Sequence, residues 1–187
     1  MNKANTYFFY LVLLCCLYIG CTKDEASKTD NRLSTNTYCN MPDAINYNIG
    51  FPGTPDNSKC IFPTQVFKGS YQFIDSVLDA DFKFKKLDTY NITLTAVNNV
   101  ALTLQGFCDG NVTLTANRYY KSMVDSLPIE NGGIASNLNG QYLCGNTKDT
   151  ISGWIVKSQS DTTMITINFT VATDSGVIYH QGNGTKK

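Results

Sequence analysis

Histidine and tryptophan are almost absent from this chain, which holds one of each, His180 and Trp154. A lone histidine with no nucleophile at a recognisable spacing cannot supply a Ser-His-Asp or Cys-His arrangement. On a strand near the C-terminus it is expected to be a surface side chain. Charge of either sign is not in surplus, because 15 basic residues balance 15 acidic ones. A near-neutral chain lacks the basic patch that a nucleic-acid partner requires, so no nucleic acid is expected. The close pairs Asp79/Asp81 and Asp24/Glu25 fall in polar stretches, where solvated charge explains them better than acid–base chemistry. A phosphate-cradling Gly-rich loop is missing as well. Apolar runs are short: the apolar stretch from Phe8 to Gly20 falls below the roughly 20 residues of a spanning helix. Together these absences argue against an enzyme, a resident cofactor and a helical membrane protein, leaving a surface glycan hydrolase as the weak enzymatic alternative.

The N-terminus does carry a secretory leader. Lys3 supplies the basic region, Tyr7 to Leu17 the apolar stretch, and Gly20 a small residue before Cys21. Ile19-Gly20-Cys21 resembles the end of a bacterial lipobox, with Tyr18 standing where that box usually has Leu. The resemblance implies that residues 1–20 are a signal peptide and that Cys21 becomes the lipidated first residue, tethering the protein to a membrane. Several acyl chains hold a protein there stably where one does so only marginally. Residues 21–37 are polar and small, as expected of a flexible tether. Within them Lys23-Asp24-Glu25 resembles the surface-export signal of lipoproteins in the Bacteroidota, and a solvated charged tether is the plainer reading. The expected address is the outer membrane, cell-surface exposed, with a periplasm-facing orientation as the alternative.

Residues 38–64 are dense in Pro, Gly, Asn and Asp and read as a turn-rich loop needing a staple. Ala44, Asn46, Tyr47, Asn48, Asp56, Ser58, Cys60, Phe62 and Pro63 match a short cysteine-bounded module that the segment resembles, found in exported Bacteroidota proteins. Asp43, Asn46, Asn48 and Asp56 offer oxygen, but too few carboxylates for calcium, so no metal is expected. The resemblance favours a turn cluster closed by a Cys39–Cys60 bridge. Seven cysteines are present. Cys15 and Cys16 leave with the leader and Cys21 is taken by lipid, so Cys39, Cys60, Cys108 and Cys144 remain, and four cysteines allow three pairings. Cys39–Cys60 with Cys108–Cys144 is preferred because it places one bridge in each segment, and the other two pairings stay open. Zinc-ribbon spacing is missing from these thiols.

From residue 65 the pattern is strands. Tyr90, Ile92, Leu94 and Ala96 alternate with polar residues, Asn98-Asn99 predicts a tight hairpin into Val100, Leu102 and Leu104, and Val112, Leu114 and Ala116 continue the alternation. Ile165, Ile167, Phe169 and Val171 repeat it. Further strands are expected at 67–77, 119–124, 141–144, 151–157 and 177–181, a longer loop at 125–140, and either a short helix or a strand at 82–87. The expectation is an all-β fold: an antiparallel meander of eight or nine strands over 65–183, closed into a barrel to remove its edges, with a β-sandwich as the alternative and 184–187 as a tail. Phe67-Lys68-Gly69-Ser70-Tyr71 opening the meander resembles the lipocalin-like domains that follow such a module in Bacteroidota lipoproteins. That resemblance implies a barrel whose mouth can hold a small apolar ligand, lined by Tyr71, Phe73 and Trp154. Asp75-Ser76, Asp125-Ser126, Asp149-Thr150 and Asp161-Thr162 resemble O-glycan acceptor sequences of exported proteins in that phylum, making Ser76, Ser126, Thr150 and Thr162 candidate acceptors. Two functional classes follow: a binding lipoprotein for a small molecule, a glycan or an envelope-protein partner, or a structural lipoprotein with a filled barrel and no ligand.

Overall fold

A computed structural model describes residues 30–125 and 140–187, and it is an all-β protein. The period-two runs become the strands β3 (Gly69–Leu78), β4 (Phe84–Ala96), β5 (Ala101–Gln105), β6 (Asn111–Ala116), β7 (Lys121–Val124), β9 (Asn146–Lys157), β10 (Met164–Thr173) and β11 (Gly176–Lys186). Each pairs antiparallel with the next, and β11 returns to pair with β3, so the eight close into a barrel. The short β8 (Gln141–Leu143) adds to the outer half of β9 as an extra strand. The strand β4 reaches back to Phe84, replacing the helix considered at 82–87. The last strand runs to Lys186, beyond the expected 181, so residues 184–186 of the expected tail are part of the barrel wall. Asn98 turns the β4–β5 hairpin as its type suggests: its Oδ1 accepts from the backbone N–H groups of Val100 and Ala101 at 2.9 and 2.8 Å.

Closure brings one face of every strand inward. Tyr71, Phe73, Ile92, Leu94, Leu102, Leu104, Val112 and Leu114 meet Ile151, Ile155, Ile165, Ile167 and Phe169 in one continuous core. The backbones must approach closely where β11 meets β3: a Cβ on Gly182 would stand 1.9 Å from the Ile74 carbonyl oxygen, so only glycine lets this closing pair form.

The barrel has a base and a mouth. At the base the helical turn Pro63–Phe67 folds across the opening, Phe67 is buried, and Thr64 Oγ1 donates to the Asn98 and Asn99 carbonyls at 2.9 and 3.1 Å. At the mouth the β5–β6 loop is tied by Cys108–Cys144 to the turn between β8 and β9. The module lies at the base. Its two short strands β1 (Thr37–Tyr38) and β2 (Thr54–Pro55) pair in parallel, and its core is Cys39, Ala44 and Cys60 with Met41 and Phe62 against them. The Cys39–Cys60 bridge closes it, an arrangement that contributes about 2 to 4 kcal/mol by restricting the unfolded chain. Asn46 spans the two limbs: its Nδ2 donates to the Lys59 carbonyl at 2.7 Å, and its Oδ1 accepts from the Ile61 N–H at 2.8 Å. Asp56 accepts from the Ser58 N–H and hydroxyl at 3.0 and 2.6 Å, bonds that hold its carboxyl below the ordinary range. These oxygens shape turns, and the described residues contain no cluster of three or more metal-ligating side chains.

Candidate functional site

The lumen is the first place to look for a ligand, and buried aromatic side chains pack within it. Phe73 and Phe169 are wholly buried. Phe73 stacks on Tyr90 at 6.0 Å, Tyr90 meets Phe107 at 5.2 Å, and Phe107 meets Phe169 edge-on at 5.4 Å, forming an aromatic ladder in the upper barrel. Tyr71, one of the expected lining residues, is committed to the base: its hydroxyl donates to the Phe67 carbonyl at 2.8 Å. Burial pushes that phenol up to about 12. Trp154 does not face the lumen. On β9 the inward positions are Ile151, Ile155 and Lys157, so Trp154 points outward with Lys121 Nζ 5.6 Å over its ring. The expectation of an inward tryptophan is therefore corrected by strand parity.

Beside Tyr71 sits Lys157, only 2 % exposed. Its Nζ donates to Tyr71 Oη at 3.3 Å and to the Thr162 carbonyl, and lies 5.2 Å over the Tyr71 ring. Burial lowers its pKa, with Lys186 adding to the effect.

The mouth carries the second polar cluster. Asp75 sits at an inward position of β3 with its side chain 0 % exposed, and His180, 12 % exposed, donates from Nδ1 to Asp75 Oδ2 at 2.7 Å. His180 was expected at the surface. Its register opposite Phe169 turns it inward instead, and Phe107 packs edge-on against its ring at 5.1 Å. Asp75 Oδ1 is buried without a hydrogen-bond partner. Nearby, Tyr90 donates to Asp88 Oδ2 at 3.3 Å, and Lys86 pairs with the same carboxylate at 2.8 Å. Burial, then the charges of Asp88 and Asp75, push the Tyr90 phenol up to about 12.

A groove of about 450 Å³ runs along the seam between module and barrel, with Pro42 and Asp43 on one wall and Val100 and residues 115–119 on the other. Arg118 anchors it, donating from Nη1 to the Pro42 carbonyl at 3.3 Å and from Nη2 to Tyr119 Oη at 2.9 Å. Its guanidinium lies 5.3 Å from the Tyr47 ring and 5.1 Å from the Tyr119 ring. No family model, curated protein or solved structure matches the chain at a significant level. The function is therefore read from these residues themselves.

The remaining expected sites divide by exposure. Thr162 is exposed in the β9–β10 turn, where an O-glycan would have room. Ser76 and Thr150 are half-buried within β3 and β9. Cys21, Lys23, Asp24, Glu25 and Ser126 lie outside the described residues. Sequence reasoning passed over Asp75, Lys157, Tyr90, Phe107 and Arg118. Parity was the available signal for two of them: Asp75 shares its face with Tyr71 and Phe73, and Lys157 shares its face with Ile151 and Ile155.

Proposed function

We propose that this chain is an exported lipoprotein, held on the outer membrane by acyl chains on Cys21, that works as a binding or accessory module through its outer surface and not through a lumenal ligand. The aromatic packing inside the barrel supports this reading. A barrel holding a small apolar ligand needs several hundred Å³ of interior space, and here Phe73, Tyr90, Phe107 and Phe169 pack against one another within that interior. Two disulfides fit an oxidising compartment beyond the inner membrane. A glycan hydrolase would need two carboxylates flanking an open cleft, whereas Asp75 is buried and already bonded to His180.

Membrane fractionation tests the anchor: Cys21→Ser is expected to move the protein from the membrane to the soluble fraction, and its retention in membranes would overturn the lipoprotein reading. Replacing Lys23, Asp24 and Glu25 by Ala is expected to remove protease accessibility on intact cells. Unchanged accessibility would dismiss that triplet as an export address. Native mass spectrometry of the protein purified from its membrane addresses the lumen, where a tightly retained apolar molecule would contradict the filled barrel.

A further inference from the structure

We propose that the seam groove between module and barrel is a binding site for a small molecule bearing a single carboxylate, received by Arg118. This rests on the reading that the protein binds outside its lumen, but not on the lipid anchor. At about 450 Å³ the groove is the size of an ordinary ligand pocket.

Its one cation is unusually prepared. The Arg118 side chain lies against the rings of Tyr47 and Tyr119 and is bonded to Pro42 and Tyr119, so the entropy of ordering a long side chain is already spent in folding. Both of its bonded acceptors are neutral oxygens, and among the described residues no carboxylate lies within ion-pair distance of it. A guanidinium presents five N–H donors in a planar fork that matches a carboxylate, and only two contacts are used here. The rest of the wall completes the chemistry: Val100, Ala116 and the Tyr119 ring offer apolar surface to a ligand body. Asp43 sets the charge limit. Repulsion from the Asp43 carboxylate on the same groove grows with the charge of the ligand, so a monoanion is tolerated better than a dianion such as phosphate.

The test is titration of the isotope-labelled mature protein in detergent with N-acetyl-leucine, its neutral amide analogue and inorganic phosphate, followed by NMR. N-acetyl-leucine is expected to shift the amide signals of Asn117, Arg118 and Tyr119, with the amide analogue and phosphate each binding at least about tenfold more weakly. Arg118→Lys keeps the charge but loses the planar fork, and is expected to weaken binding by about fivefold or more. Thr115→Phe leaves Arg118 in place and fills the groove from an exposed strand position, and is expected to abolish the shifts. Unperturbed Gly182 and Ile167 amide signals in both variants show that the barrel has folded. No shift at the seam, equal binding of the amide analogue, or undiminished binding by both variants overturns the proposal. None of these results bears on Cys21, so a failed seam and a failed anchor are told apart.

Discussion

At the mouth the buried Asp75 is bonded to another ionisable side chain, His180, at 2.7 Å, while at the base Lys157 is buried against the Tyr71 hydroxyl and the Thr162 carbonyl. The two ends of one barrel thus enclose ionisable groups by opposite means. A buried, hydrogen-bonded pair of polar side chains holds only while both partners remain, since removal of one leaves the other buried and unsatisfied. A lone ammonium solvated by neutral oxygens and a ring face already carries its desolvation cost within the folded state, as its lowered pKa indicates. Removing it therefore strands nothing. The mouth should be fragile to single substitutions and the base tolerant of them.

His180→Ala is the sharpest way to break this comparison. It is expected to cost about 3 to 5 kcal/mol in urea unfolding, while Asp75→Leu combined with His180→Leu recovers most of that loss. A cost below about 1 kcal/mol for the single variant would mean that the pair does not hold the mouth.

Next in size is the staple of the same end. Replacing Cys108 and Cys144 together by Ser opens a loop of 36 residues and is expected to cost about 2 to 4 kcal/mol. Hydrogen exchange should then rise at Phe107 and Asn111 and stay low at Phe67 and Tyr71. A uniform rise would show that mouth and base do not open separately.

Lys157→Met is expected to have the smallest effect, within about 1 kcal/mol and toward greater stability, because Tyr71 keeps its bond to Phe67. The alkaline profile then separates the contributions. For Lys157 the folded pKa lies below the unfolded value of 10.5, so the unfolded chain binds more protons in that window and stability rises with pH up to 10.5. For Tyr71 and Tyr90 the folded values, about 12, lie above the unfolded 10.0, so their contribution is complete below 10.0 and is lost as pH climbs toward 12. Melting temperatures measured from pH 8 to 12 should pass through an alkaline maximum in the wild type. In Lys157→Met the rise should vanish and the fall remain.

Much of the fold was legible because a barrel strand writes its burial into the chain as alternation. Ile92 and Leu94, Leu102 and Leu104, Val112 and Leu114, and the run from Ile165 to Val171 all lie inward as their period requires. The Cys39–Cys60 and Cys108–Cys144 bridges join the cysteines that the order of segments favoured. Trp154 was misread because a large aromatic side chain suggests a core, while parity and the inward run of Ile151, Ile155 and Lys157 put it outside. His180 was misread for the complementary reason. A polar residue among Tyr179, Gln181 and Asn183 looks exposed until its register opposite Phe169 is known.

What the amino-acid sequence determined by itself is local: roughly where the main strands run, which of their faces is apolar, and which loops need a staple. What only the tertiary structure decided is which polar side chains meet. Asp75 and His180 are 105 residues apart, Tyr71 and Lys157 are 86 apart, and Arg118 reaches Pro42 across 76. Periodicity records the face on which a residue lies but not its height along the barrel, and height is set by the registers that result when β11 closes on β3.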